Sequence, residues 1–208
     1  DQSVNTTWDN NYQLVLHLDD FDDATSNSND ATNNGTTSTT GKIGNARQFS
    51  TTGADDFISV TDDATLDITD NITLSAWLNI DNFGTTPDII TKGDYTDAYS
   101  TWIRTNGTLR FATQNNTLTS SSTISSGTLA YVTFTKSNSG RAIYIDGVLA
   151  GSDNNTTDFD TNTSPLYIST SSYGLNGMVD EVRISDIARS ADWISTEYEN
   201  QNDPSSFY

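Results

Sequence analysis

The residues best placed to do chemistry in this sequence are aspartates set among apolar or aromatic neighbours. Near the C-terminal end the stretch NGMVDEVRIS, Asn176 to Ser185, reads as a strand. Alternation puts Met178, Asp180, Val182 and Ile184 on one face and Val179, Glu181 and Arg183 on the other. A carboxylate held among Met, Val and Ile is costly to bury unpaired, so Asp180 needs either a cation or protein donors such as backbone N–H groups or Arg47. A second stretch, KGDYTDAYSTW from Lys92 to Trp102, sets Tyr95 between Asp94 and Asp97, and Tyr173 stands in a separate Gly/Ser-rich loop. Aromatic platforms flanked by carboxylates are the chemistry of sugar recognition. Asp94, Tyr95, Asp97 and Tyr173 are therefore the candidate ligand-binding residues, and Trp102 is assigned to the core.

Catalytic patterns are sparse. The single histidine, His17, lies opposite the Leu14, Leu16 and Leu18 stripe, without the partners a triad or a catalytic zinc would need. Asp55 and Asp56 are adjacent, and neighbouring strand residues point to opposite faces, so they do not form an acid and base pair. No phosphate loop, dinucleotide fingerprint or metalloprotease helix is present. The expectation is a non-enzyme with no catalytic residue.

Composition points the same way. The chain has 208 residues, 33% hydrophobic and only 18% charged, so its polar surface is built mostly from Ser, Thr and Asn. The net charge of −19 comes almost wholly from aspartate, because Glu occurs only at Glu181, Glu197 and Glu199. Aspartate suits turns and oxygen-ligand metal sites. Such an acidic surface repels nucleic acid and anionic membranes. No apolar run is long enough to span a bilayer, no signal peptide is seen, and the absence of cysteine leaves the compartment unread.

The elements that must position these residues are short strands separated by turns. YQLVLHL (12–18), DFISV (56–60), ITLSAWLNI (72–80), DIITK (88–92), AYSTWIR (98–104), TLRFAT (108–113), LAYVTFTK (129–136), RAIYIDG (141–147), PLYIS (165–169) and NGMVDEVRIS all read as strands. Asn106-Gly107 and Asp146-Gly147 are hairpin turns by composition. A helical turn is expected at Ala64 to Leu66, and a helix from the N-cap Ser190 through Trp193, Ile194 and Tyr198 to the stop at Asp203-Pro204. The expected fold is all-β: a two-sheet antiparallel sandwich with a short C-terminal helix, residues 1–208 forming one domain.

Seven segments in order resemble the laminin-G-like, concanavalin A-like jelly roll of secreted proteins. They are LVLHLDD (14–20), DATSNSNDAT (23–32), GKIGNARQF (41–49), ADDFISV (54–60), ITLSAWLNI (72–80), AIYIDGVLAG (142–151) and GMVDEVRISDIARSADWI (177–194). The family's Trp-His-type pair is replaced by Leu129-Ala130-Tyr131. The resemblance implies that the polar 23–32 segment is an ordered loop beside a structural calcium ion. It also implies that Asp180, matching a last-strand aspartate of related glucanases, is a ligand together with Asp23, with Asn27 and Asn29 as lesser ligands. The Glu-x-Asp-x-x-Glu strand of the related glycosidases is missing, since no Glu precedes residue 181.

The resemblance thus implies an extracellular binding module, secreted or at the cell surface, that recognises a glycan or a cell-surface protein and belongs to a larger surface protein. The competing reading is a structural spacer or self-associating subunit of a surface stalk or fibre. Nucleic acid and membrane insertion are excluded as partners by the charge and the lack of a span.

Overall fold

The computed structural model describes residues 7–51, 56–84 and 86–204. Among the described residues the strands are β1 (Tyr12–Leu16), β2 (Ala31–Asn34), β3 (Thr37–Thr40), β4 (Asn45–Phe49), β5 (Phe57–Val60), β6 (Ile72–Ile80), β7 (Asp88–Lys92), β8 (Tyr99–Ile103), β9 (Thr108–Thr113), β10 (Asn116–Thr123), β11 (Leu129–Ser137), β12 (Gly140–Ile145), β13 (Val148–Asp153), β14 (Leu166–Ile168) and β15 (Gly177–Ser185). A 3-10 turn spans Ala64–Leu66, and helix α1 spans Ala191–Asn202.

The strands form two antiparallel sheets, as the alternation predicts. One runs β13, β12, β11, β6, β15, β4, β3, with β1 also paired to β15; the other runs β10, β9, β8, β7, β14, β5, β2. Alternate residues of each sheet face the other and make one core, in which Leu14, Leu16, Phe49, Leu74, Leu78, Phe134 and Val182 meet Ile58, Ile90, Tyr99, Phe111 and Leu166. Each such Leu, Val or Phe contributes about 1.5–3 kcal/mol by leaving water. Helix α1 covers the outer face of the eight-stranded sheet: Trp77 Nε1 donates to Gln201 Oε1 at 2.7 Å, and Trp77 packs on Tyr131 and Tyr198. Ser190 caps it as expected, accepting from the Trp193 N–H. Among the described residues no helix is long and apolar enough to cross a membrane.

Strand β15 departs from strict alternation. It pairs with β6 along one edge, while its other edge pairs with β4 over Gly177–Val179 and then with β1 over Val182–Ser185. The register shifts between Asp180 and Arg183, and Glu181 takes a positive φ of 51°. The bulge re-aims the side chains: Val179, Val182 and Ile184 are in the core, whereas Asp180 stands opposite Trp77 on the outer face. Met178 and Asp180 therefore do not share the core face with Val182 and Ile184.

The few cations are mostly interior cross-links. Of nine Lys and Arg residues, Lys92, Lys136, Arg141, Arg183 and Arg189 are buried. Lys92 Nζ lies 2.6 Å from Asp62 and 3.1 Å from Asp67, and Lys136 Nζ lies 2.7 Å from Asp158. The solvent therefore meets a surface even more acidic than the composition suggests.

Candidate functional site

On the outer face of the seven-stranded sheet, β7, β8 and two loops enclose a cavity of about 380 Å³ whose lining includes Asp88, Asp94, Tyr95, Trp102, Thr170 and Tyr173. The first loop leaves β7 at Gly93, where φ is +74° and a Cβ would lie 2.4 Å from Asn162 Nδ2 and 2.5 Å from Asp97 Oδ1. Only glycine fits so close an approach. Asp97 Oδ1 accepts the N–H groups of Asp94 and Ala98 at 3.0 and 2.7 Å, which closes the loop. Asp94 Oδ1 accepts from the Thr96 N–H at 2.6 Å, and Tyr95 O accepts from the Asn115 N–H at 2.9 Å. These local bonds hold Tyr95 out from the sheet, 52% exposed.

The second loop follows β14, which pairs directly with β7. Thr170 Oγ1 donates to Asp88 Oδ2 at 2.9 Å and accepts from the Tyr173 N–H at 3.1 Å, while the Asp88 N–H donates to Tyr173 O at 3.0 Å. Asp88 thus ties β7 to the loop that presents Tyr173, itself 53% exposed. Burial pushes the Asp88 carboxyl up to about 6, opposed by the Thr170 hydrogen bond. Trp102 forms the wall between them, edge-on to Tyr95 with ring centroids 6.4 Å apart, and the Arg110 guanidinium lies 5.8 Å from its ring centroid.

Three of the four candidate ligand residues, Asp94, Tyr95 and Tyr173, thus line one cavity, and Asp97 braces the loop beneath two of them. Trp102 is half-buried on the cavity wall rather than in the core. The alternation of AYSTWIR contained that signal, because Tyr99, Thr101 and Ile103 face inward and Ser100 and Trp102 must then face out. Asp88 and Thr170 carried no sequence signal beyond their polarity.

The metal candidates are placed differently from one another. Asp23 Oδ1 accepts from the Val15 and Thr25 N–H groups, and Oδ2 from Thr25 Oγ1 and the Asn29 N–H, all between 2.7 and 3.0 Å. Its carboxylate organises the polar 22–30 loop. Asn27 Nδ2 donates to Gln13 O at 3.2 Å, and Asn29 Nδ2 donates to Gln13 O at 2.9 Å, fastening the loop to β1. Asp180 Oδ2 accepts from the Lys42 and Ile43 N–H groups at 2.6 and 3.1 Å, and a Cβ on Gly41 would lie 2.4 Å from it.

Asp180 Oδ1, by contrast, is buried with no hydrogen-bond partner. Burial, reinforced by the neighbouring Glu181 charge, pushes the Asp180 carboxyl up to about 6. That orphan oxygen fits a hard cation, whereas both oxygens of Asp23 already accept from protein donors. Among the described residues no three acidic or His side chains converge into a metal cluster. Arg47 bonds Leu18 O and Asp19 O.

His17 Nδ1 lies 2.8 Å from Glu181 Oε1, and Glu181 in turn binds Arg183, so the histidine joins a hydrogen-bonded chain that runs through Glu181 to Arg183. Asp56 Oδ2 accepts from the Ser50 N–H at 2.9 Å, and Asp55 lies outside the described residues. A larger cavity of about 800 Å³ lies between Trp8, Tyr12 and α1 and ends at Thr7 and Pro204, the borders of the described residues. The charged pairs on its floor hold the helix to the sheet. The smaller cavity is the better candidate site, because exposed aromatic rings line it within the described residues, whereas the charged groups of the larger one are held in ion pairs.

Solved structures with the same architecture include the binding domain of Paraclostridial Mosquitocidal Protein 1 (TM-score 0.76, 16% identity, covering 91% of this chain and 52% of that one). Domain 4 of AbnA, an extracellular arabinanase from Geobacillus stearothermophilus solved in complex with arabinotriose, matches with TM-score 0.73 and 18% identity over 88% of this chain and 96% of that one. The binding domain of Botulinum neurotoxin DC, in complex with rat synaptotagmin II, matches with TM-score 0.71 and 14% identity over 92% of this chain and 52% of that one. The chain spans about half the length of both toxin domains, and at these identities the likeness is one of fold. No curated protein sequence matches it. A laminin-G-like family model covers residues 50–195, and the chain belongs to the concanavalin A-like lectin/glucanases superfamily.

Proposed function

We propose that the chain is a non-catalytic, extracellular binding module that recognises carbohydrate in the Asp88–Trp102–Tyr173 cavity. The observation that carries this is convergence: Tyr95 and Tyr173, far apart in sequence, and Trp102 surround one concave space that Asp88 and Asp94 also line. Aromatic faces take the apolar face of a sugar ring and Asp oxygens accept from its hydroxyls. The fold relatives support a binding role, since one is named in complex with arabinotriose and others as binding domains. The lack of any Glu before residue 181 supports the absence of glucanase chemistry.

A glycan array with the wild-type protein and the Tyr95→Ala and Trp102→Ala variants tests the reading. Each variant is expected to weaken binding by roughly tenfold or more, the scale of one lost aromatic platform. Tyr95→Ala should leave the melting temperature unchanged, because the ring is half-exposed. Binding that neither variant weakens, or no glycan bound at all, overturns the assignment.

Calcium is proposed as a stabilising ion at Asp180, on the strength of the orphan Oδ1. An Asp whose folded-state pKa is raised stabilises the fold fully below its unfolded value near 3.8 and loses that contribution as pH climbs through about 6. Without calcium, Asp180→Asn at neutral pH is therefore expected to leave the melting temperature unchanged or raise it. In millimolar calcium the wild type should gain several degrees and the variant none. Equal calcium responses in both proteins would remove Asp180 from the ion.

A further inference from the structure

The charges around the cavity narrow the ligand class. Its lining contains Asp88 and Asp94 and not one Lys, Arg or His. The described cations around it are outside the lining: Arg110 lies against the Trp102 ring, Arg104 follows Trp102 by two residues and acts on Arg110, and Lys92 is buried against Asp62 and Asp67. Three aromatic rings, Tyr95, Trp102 and Tyr173, stand around the two carboxylates. An ammonium group entering this space meets carboxylate acceptors and the negative faces of aromatic rings, two attractions that reinforce each other as water leaves. A sialic acid or uronic acid carboxylate would instead meet like charge in a partly desolvated site, on a surface that repels anions over its whole extent.

Resting on the carbohydrate reading, we infer that the cavity selects sugar units carrying a free amino group over their N-acetylated and acidic counterparts. Asp94 is the more accessible acceptor. Its Oδ1 is capped by Thr96, and its side chain lies at the open rim beside Tyr95. Asp88 is the deeper one, with Oδ2 held by Thr170 at 2.9 Å. The titratable groups around Asp88 are Asp94, Tyr95 and Tyr173 of the lining, with Arg104 two residues beyond its pairing partner Trp102 and Arg110 against the Trp102 ring. A bound ammonium favours the charged form of Asp88, so amine binding should strengthen as pH rises through about 6 and weaken again once the sugar amine loses its own proton.

Calorimetric titration of the intact protein with four probes decides the matter: a chitosan trimer with free amines, the same trimer fully N-acetylated, a neutral arabino-oligosaccharide and sialyllactose. The free-amine trimer is expected to bind about tenfold or more tightly than its N-acetylated form just above pH 6, where the sugar amines keep their proton. The ratio should shrink in high salt and collapse toward one in Asp94→Asn and in Asp88→Asn. A ratio near or below one, a ratio indifferent to both substitutions, or tighter binding of sialyllactose overturns the amine preference while leaving carbohydrate recognition standing. No binding of any of the four overturns both. Because Asp88 is partly buried, Asp94→Asn, at the exposed rim, keeps the test decisive if the Asp88 variant unfolds.

Discussion

Arg183→Ala is expected to destabilise the protein by about 3–5 kcal/mol, the cost of breaking a buried ion pair from one side. The guanidinium sits between two carboxylates: Nη2 is 2.6 Å from Glu181 Oε2 and Nη1 is 2.5 Å from Glu197 Oε1, and the group lies 4.8 Å from the Trp8 ring centroid. These charges hold the guanidinium well above its ordinary range against the burial that opposes them. Removing it leaves Glu181, which is fully buried, with only His17 opposite, and leaves Glu197 of α1 facing it without the intervening cation. The expected fall in melting temperature is roughly 6–20 °C for a chain of this size. Helix α1 should become the first protease-sensitive element, because its anchor to β15 is the pair that is lost. Arg183→Met, which keeps the stem, should recover little, whereas Arg183→Met with Glu181→Gln and Glu197→Gln should recover much of the loss. A fall of less than two degrees for Arg183→Ala would mean that the chain of charges contributes nothing to holding the helix.

That cross-link also shows where sequence reading stops. The alternation of NGMVDEVRIS identified a strand, but it placed Asp180 on the core face. The bulge at Glu181 is invisible to periodicity, since a glutamate with positive φ is uncommon and is held here by Arg183 two residues on and by His17 from a distant segment. Strands with a buried face were legible for the simple reason that burial writes a period of two. TSTT of β3 and NTLTSSST of β10 were not, being polar and held by backbone pairing at or near a sheet edge. The calcium reading drew Asp23 and Asp180 together by family likeness, while the local chemistry of Asp23 is that of a loop-organising acceptor for four donors.

The site was legible in parts and not in assembly. Asp94, Tyr95 and Tyr173 could be picked out because exposed aromatics beside Asp and Gly have no core to fill. Their meeting depends on β14 lying against β7, a long-range pairing that no local pattern announces. Asp88, the residue that ties β7 to the Tyr173 loop, looked like the first residue of a strand, and only the Thr170 and Tyr173 bonds give it a role.

The second large effect is expected at Arg141, where the two sheets are joined at their far edge. This fully buried side chain belongs to β12 of the eight-stranded sheet, and its fork reaches the β9–β10 hairpin of the other. Nη1 donates to Asn116 O at 2.8 Å, Thr113 Oγ1 at 3.0 Å and Phe111 O at 3.3 Å; Nη2 donates to Asn116 Oδ1 at 2.9 Å and Asp153 Oδ2 at 2.5 Å; Nε donates to Asp153 Oδ1 at 3.1 Å. No apolar replacement satisfies these acceptors, and a lysine ammonium cannot reproduce the planar fork. Arg141→Ala should cost about 3–5 kcal/mol and Arg141→Lys a substantial fraction of it, from the orphaned acceptors and the cavity together. Thermal or urea unfolding reads both, and the Lys variant separates geometry from charge: equal stability of Arg141→Lys and wild type would mean that a positive charge alone is enough at this edge. Because β9 abuts β8, which carries Trp102, hydrogen exchange should show the loosening spread from the β9–β10 hairpin toward the ligand cavity. Exchange confined to the hairpin would show instead that the cavity strands are braced independently, through β7, β14 and the Asp88 bonds.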